Sequence, residues 1–230
     1  MKLEEERPGS CYAYVNGHKE PRQTLRSSIA LADVILPYIR FNRPEFQRIL
    51  EWFKSQVITE TKGVFTDVSC TVEGFQFDFG TGGIHGSVES TIVRADDEFI
   101  IEDWDVASYY PNLAIANRFY PEHLGELFCR IYKDMYEQRK RYPKGSAENA
   151  MLKLALNGVY GDSNNVYSPF YDPQYTMSIT VNGQLLLCML AEVLMGHVEM
   201  VQINTDGLTI RYPRSIRPWV HQVAQWWQQL

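Results

Sequence analysis

Hydrophobic residues follow two different periods along the 230-residue chain, and the change of period marks the change of element. In "RPEFQRILEWFKSQ", Phe46, Ile49, Leu50 and Phe53 recur three and four residues apart, which predicts an amphipathic helix. From 64 to 100 the pattern turns to alternation. "VSCTVEGFQFDFG" and "GSVESTIVRADDEFII" read as strands around a glycine-rich turn, "FGTGGIHGS". Pro121 and Glu122 then signal a helix start, since proline suits the first helical position and an early acid complements the dipole. Leu124, Leu127, Phe128, Ile131 and Met135 give that helix one apolar stripe. "YPKGS" breaks it at Pro143 and Gly145, and Ser146 caps the next helix. In "VEMVQINTDGLTIRY", Val201 and Ile203 alternate before Asn204-Thr205-Asp206-Gly207, and Leu208 and Ile210 after it. Asp-Gly there predicts a hairpin with Asp206 at its tip. Residues 1 to about 30 are polar and predict a loosely ordered start.

Composition narrows the class. A chain 45% hydrophobic buries a real core in one or two domains. No stretch approaches the roughly 18 to 20 uninterrupted apolar residues of a membrane span. "MKLEEERPGS" is acidic, unlike a signal peptide, so the expectation is a soluble cytoplasmic protein with no membrane partner. Cys11, Cys70, Cys129 and Cys188 have unrelated flanks and read as neither a metal pair nor a disulfide framework. A net charge of −6 argues against a wholly basic nucleic-acid coat but allows a local basic channel. Positive charge does gather at Arg130, Lys133, Arg139, Lys140, Arg141 and Lys144, against Asp134 and Glu137. A solvated face with Glu126–Arg130 and Glu137–Arg141 pairs explains it equally well.

Two stretches ask for chemistry. In "IEDWDVASYYPNLAI" an apolar strand, Phe99-Ile100-Ile101, ends in Glu102, Asp103 and Asp105. Such carboxylates call for solvent, a cation or a metal, and spacing does not choose among the three acids. In "MLKLALNGVYG" nearly everything from Met151 to Val159 is apolar except Lys153 and Asn157. Lys153, Asn157 and Tyr160 fall within a wedge of roughly 60° on a helix. A cation, an amide and a phenol in one stripe suit the phosphate, sugar and base of a nucleoside triphosphate. A stray surface lysine accounts for Lys153 alone. Asp206, taken singly, is only a turn residue.

In order, these stretches resemble motifs A, B and C of family B DNA polymerases, especially phage-type ones. Asp105-Val106-Ala107-Ser108-Tyr109-Tyr110-Pro111 is similar to D-x-x-S-L-Y-P, with Tyr109 in the leucine position. "KLALNGVYG" is similar to K-x-x-x-N-S-x-Y-G with Gly158 for serine, and "NTDG" to D-T-D-S with Asn204 at the first acid. The likeness covers roughly residues 75 to 215. It implies an α+β fold: a palm of antiparallel sheet with packing helices, plus short helical fingers. The domains would be an N-terminal segment packing on the palm (1–75), palm with motif A (76–121), fingers with motif B (122–161) and palm with motif C (162–230), ending before a thumb.

The resemblance also implies roles. Asp105, Asp206 and the carbonyl of Val106 would hold two Mg²⁺ ions, with Mn²⁺ as a substitute. Ser108 and Tyr109 would take the triphosphate through backbone amides, and Tyr110 would exclude a ribose 2′ hydroxyl. Lys153 would meet the phosphates and protonate the leaving group, while Asn157 and Tyr160 line the nascent base pair. Arg139 matches the triphosphate arginine of the first fingers helix. The lysine expected four residues later falls on Pro143, which leaves Lys144 as a candidate. Gly82, Gly83, Gly161 and Thr205 would contact DNA, and His85 reads as structural. The implied partners are primer–template DNA and a dNTP in DNA replication, in the host cytoplasm if phage-encoded. No D-x-E exonuclease motif is visible in a suitable context. Only 24 residues follow Asp206, so a thumb and the K-x-Y stretch are expected to be absent, and the chain is expected to be a fragment, a split enzyme whose thumb or exonuclease lies on a second polypeptide, or a degenerate relative. A non-catalytic nucleic-acid-binding or scaffold subunit with the palm shape is the rival, and an RNA-using palm polymerase a third reading.

Overall fold

In the computed structural model, which describes residues 1–230, the alternating stretches form an antiparallel sheet and the three-four stretches form helices. The fold is α+β. Strands are β1 (Tyr12–Val15), β2 (His18–Pro21), β3 (Ile29–Ala30), β4 (Val57–Ile58), β5 (Val68–Val72), β6 (Phe75–Phe79), β7 (Ile84–Ser87), β8 (Phe99–Asp105), β9 (Glu199–Asn204) and β10 (Gly207–Pro213). Helices are α1 (Lys2–Glu6), α2 (Pro44–Ser55), α3 (Tyr109–Asn117), α4 (Glu126–Lys140), α5 (Ala147–Ser163), α6 (Pro173–Leu194) and α7 (Arg217–Trp227). Two compact units share them, each assembled from separated stretches. One comprises Met1–Ile29, Val57–Thr61 and Ala107–Ile179; the other comprises Ala30–Gln56, Lys62–Val106 and Thr180–Leu230.

The second unit holds a six-stranded sheet in the order β5-β6-β7-β9-β10-β8, antiparallel throughout. Alternation gives it one buried face. Val68, Val72, Phe75, Phe77, Phe79, Ile84, Ile203, Ile210 and Tyr212 point inward, whereas Gln76, Asp78, Gln202 and Asn204 stay exposed. Helix α2 closes on the inner face with Phe46 edge-on to Phe77 at 5.0 Å and Phe53 edge-on to Phe79 at 6.0 Å. Each such phenylalanine contributes about 1.5–3 kcal/mol by leaving water. Trp227 of α7 donates its indole N–H to the Leu186 carbonyl at 2.6 Å.

In the first unit, Asp172 is the knot. It is 1% exposed and takes both Nε and Nη2 of Arg26 (2.8 and 3.1 Å) and the amides of Glu122 and Gln174 (2.9 and 3.0 Å). Tyr132 of α4 donates to the Leu156 carbonyl of α5 at 2.5 Å, which locks those helices together.

Several expectations are corrected. Helix α4 starts at Glu126, not Pro121, because Gly125 at φ 64° interrupts the path and residues 121–124 form a separate turn. Residues 88–98 form no strand, so alternation resumes only at Phe99. The expected helical ion pairs do not form: Glu126 pairs with Arg118, Arg130 with Glu6, and Glu137 with Lys140 at 2.7 Å. The N-terminal stretch contains α1 and the β1–β2 hairpin, tied by Glu4 to the amides of Gly9 and Cys11 at 2.7 and 2.9 Å. Helix α5 is not buried all round. Leu152, Leu156 and Val159 face inward while Met151 and Leu154 are 63% and 75% exposed. Helix α6 is long and apolar enough to cross a membrane by length and composition, yet 89% of its most apolar window is buried within the protein.

Candidate active site

Strand pairing brings the acids of the first and third motifs together. Gly207 pairs with Asp105 on one side and with Asn204 on the other, and Val106 N donates to the Asp206 carbonyl at 2.7 Å. Asp206 therefore stands one residue beyond Asp105 across adjacent strands. Its carboxyl is pushed above the ordinary value by burial and, next, by the charge of Asp105. A carboxyl raised by burial and by a neighbouring carboxylate is relieved by a cation placed between the two.

Of the acids ending β8, two already have protein partners. Glu102 accepts from Arg217 Nε at 2.9 Å, His221 Nε2 at 2.9 Å and Trp104 Nε1 at 3.0 Å. Burial pushes its carboxyl up, but these donors outweigh that and hold it at about 2. Asp103 accepts from the Thr209 hydroxyl at 2.6 Å. Asp105 is exposed, on the face where Asn204, Gln202, Thr209 and Asp103 line up in two rows across the strands. His85 is exposed opposite Asp78.

The expected hairpin forms with Asp206 in its loop, but Gly207 is not a turn residue. The loop is Thr205–Asp206, neither of them at positive φ, and Gly207 already belongs to β10. Gly207 meets a steric demand: a Cβ there would lie 2.1 Å from the Trp104 carbonyl oxygen.

The remaining expected residues lie in the other unit. Ser108 precedes α3 in the left-handed region, φ 49° and ψ 52°, a conformation that costs a non-glycine residue on the order of 1 kcal/mol or more. Arg139 Nη1 donates to its hydroxyl at 2.7 Å. Tyr109 is buried, and Tyr110 packs against Tyr160 with ring centroids 4.6 Å apart. Burial pushes the Tyr160 hydroxyl up to about 12. Lys153 and Asn157 are exposed on α5, Lys144 on the loop before it, and Gly161 in its last turn. Asn149 escapes the sequence reading although it organises this region. It bonds to Arg139 Nε through its Oδ1 and donates Nδ2 to the carbonyls of Arg139 and Tyr142 at 3.2 and 3.1 Å. An asparagine one turn inside a helix carries no local signal of that role. Gln184, 1% exposed, is missed in the same way.

No family model and no curated protein matches the chain. Among solved structures it is similar to the family B DNA polymerase from the hyperthermophilic archaeon Pyrobaculum calidifontis, with 17% identity and a TM-score of 0.40 over 61% of this chain and 26% of that one. The chain thus spans about a quarter of that structure's length.

Proposed function

We propose that the chain is the catalytic core, or a portion of one, of a template-directed DNA polymerase of the family B type, with palm residues around Asp105 and Asp206 and fingers formed by α4 and α5. The observation that carries this reading is the strand register that sets Gly207 opposite Asp105, and so Asp206 beside it, in a chain that bears the three motifs in order. Held by the two aspartates and the Val106 carbonyl, Mg²⁺ ions would activate the primer 3′ hydroxyl and neutralise the departing pyrophosphate. The chain's own groups position the reactants, which is most of what phosphoryl transfer asks of a protein. Backbone amides at Ser108 and Tyr109, with Arg139 and Lys144, take triphosphate oxygens. Lys153 binds the same oxygens and gives a proton to the leaving group. Tyr110 closes against the 2′ position of the sugar, and its tilted contact with the Tyr160 ring fixes it for that task. Asn157 and Tyr160 border the base pair, while Gly82, Gly83, Gly161 and Thr205 approach DNA.

One observation favours a second reading, a nucleic-acid-binding or scaffold subunit without catalysis: Asn204 stands where the third motif usually has an acid. Primer extension with Mg²⁺ separates the two, run with and without a polypeptide supplying a thumb. Extension that Asp105→Asn or Asp206→Asn abolishes, in variants with parental circular dichroism, supports the polymerase. Full extension by Asp206→Asn refutes the metal assignment, and binding of primer–template without extension supports the scaffold.

A further inference from the structure

Gly83 has a structural reason to be glycine that DNA contact does not require. Its φ is +150°, and a Cβ there would lie 2.6 Å from Thr205 Oγ1, 2.8 Å from Cγ2 and 3.0 Å from Cβ. Thr205 shares a two-residue loop with Asp206, so pressure on one is transmitted to the other. The turn that carries Gly83 is itself fixed. Gly80 N donates to the Gly83 carbonyl at 3.0 Å and to Gln184 Oε1 at 3.1 Å. Gln184 Nε2 donates in return to the Gly80 carbonyl at 2.9 Å and to Thr180 O at 3.0 Å. Gln184 thus holds both backbone groups of Gly80 from a buried position, where its amide has no water to turn to. Beyond the turn, Gly86 and Ser87 pair with Ile203 and Gln202 of β9, the strand that leads into the same hairpin. From the other side, Val106 N holds the Asp206 carbonyl.

We infer that the Gly80–Gly83 turn, clamped by Gln184, sets the hairpin tip that carries Asp206, so that Gly83 and Gln184 are positioning residues for the Asp105–Asp206 pair. The inference rests on the proposed metal role of that pair. It gives Gly83 a task within the protein, distinct from touching a template strand. A side chain at 83 would drive Thr205 away and rotate Asp206 out of register with Asp105. A shift well under the width of the hairpin suffices, because a shared cation tolerates little change in the spacing of its ligands.

Calorimetric titration of Mn²⁺ into the full chain tests it without reference to turnover. The parent is expected to bind Mn²⁺, and Asp206→Asn to lose that binding. Gly83→Ala should weaken it at least tenfold with unchanged far-ultraviolet circular dichroism. Adding Thr205→Gly, which removes the atoms the new methyl strikes, should recover part of the loss, the remainder being the strain of an alanine at φ +150°. Gln184→Met cuts the side-chain bonds to Gly80, should act in the same direction, and carries the comparison if Gly83→Ala does not fold. A folded variant that binds Mn²⁺ like the parent and loses only primer–template affinity overturns the inference and makes Gly83 a DNA contact. A parent whose Mn²⁺ binding is absent or independent of Asp206 overturns the metal reading, and the inference with it.

Discussion

Replacing Gly207 with alanine is the sharpest probe of how the acids are held. The added Cβ would sit 2.1 Å from the Trp104 carbonyl oxygen, 3.1 Å from Trp104 C and 3.2 Å from Asp105 Cα. A carbon–oxygen contact between strands normally lies near 3.3 Å, so β8 and β10 would have to part locally by roughly 1 Å. No side chain can swing aside, since every obstructing atom is backbone. Overpacking of this kind costs typically 1–3 kcal/mol, and weakening one or two ladder hydrogen bonds adds about 1 kcal/mol, which places the total near 3 kcal/mol. For a chain of this size that corresponds to roughly 6–12 °C in melting temperature. The same displacement separates Asp105 from Asp206, and a 1 Å misplacement can cost about a hundredfold in rate. Differential scanning calorimetry and Mg²⁺-dependent extension measure the two effects. Gly207→Asn distinguishes the cause: a glycine chosen for positive φ is partly replaced by asparagine, whereas a glycine chosen for closeness is not, so asparagine should be no better than alanine. A Gly207→Ala protein melting within about 2 °C of the parent would refute the steric argument.

Removing Arg26 leaves the buried Asp172 carboxylate with backbone donors alone, so Arg26→Ala should cost about 3 kcal/mol in urea unfolding. A loss below about 1 kcal/mol would mean that the pair is already well hydrated. Tyr110→Val removes the ring contact with Tyr160 and should raise ribonucleotide incorporation relative to deoxyribonucleotide; an unchanged ratio in single-nucleotide extension counts against the placement of Tyr110. Because Glu102 is held at about 2, below the unfolded value near 4.3, its stabilisation is present above pH 4 or so and fades as pH falls towards 2. Glu102→Gln should flatten that limb of the acid-unfolding profile, and a profile parallel to the parent's would exclude the Arg217–His221 network as its source.

Local pattern and non-local demand separate what the chain discloses from what it conceals. Helix α2, strands β5 and β6 and the β9–β10 hairpin are legible because each carries its own apolar period and turn residues. Helix α6 is hidden by its composition. Gln174, Thr176, Ser178, Thr180, Asn182 and Gln184 put a polar group at every second position, as a strand would, although the element is a buried helix. The structure reconciles them through local bonds, such as Ser178 Oγ to the Gln174 carbonyl at 2.8 Å and Gln184 to Thr180 O, and through Asn182 Nδ2 to the Val34 carbonyl at 2.7 Å. At the candidate site the motifs point to Asp105 and Asp206, which the sheet sets side by side, but not to the reason for Gly207. An Asp-Gly pair looks the same whether the glycine serves a turn or a close strand crossing. Asn149 and Gln184 are invisible for a related reason, since each acts through backbone atoms whose positions only the folded chain defines.

The sheet also works as a ruler. Neighbouring strands lie about 4.8 Å apart, so Asn204 and Asp105, on either side of Gly207, are separated by about 10 Å. That is close to one Debye length at 0.1 M salt. A carboxylate at position 204 would therefore do little for a cation drawn to Asp105. Its nearer neighbour along the chain is Asp206, whose ionisation is already opposed by burial and by Asp105. An amide at 204 spares Asp206 a further like charge and keeps it easier to ionise. On the proposed metal reading, the amide at 204 leaves the pair with two negative charges instead of three.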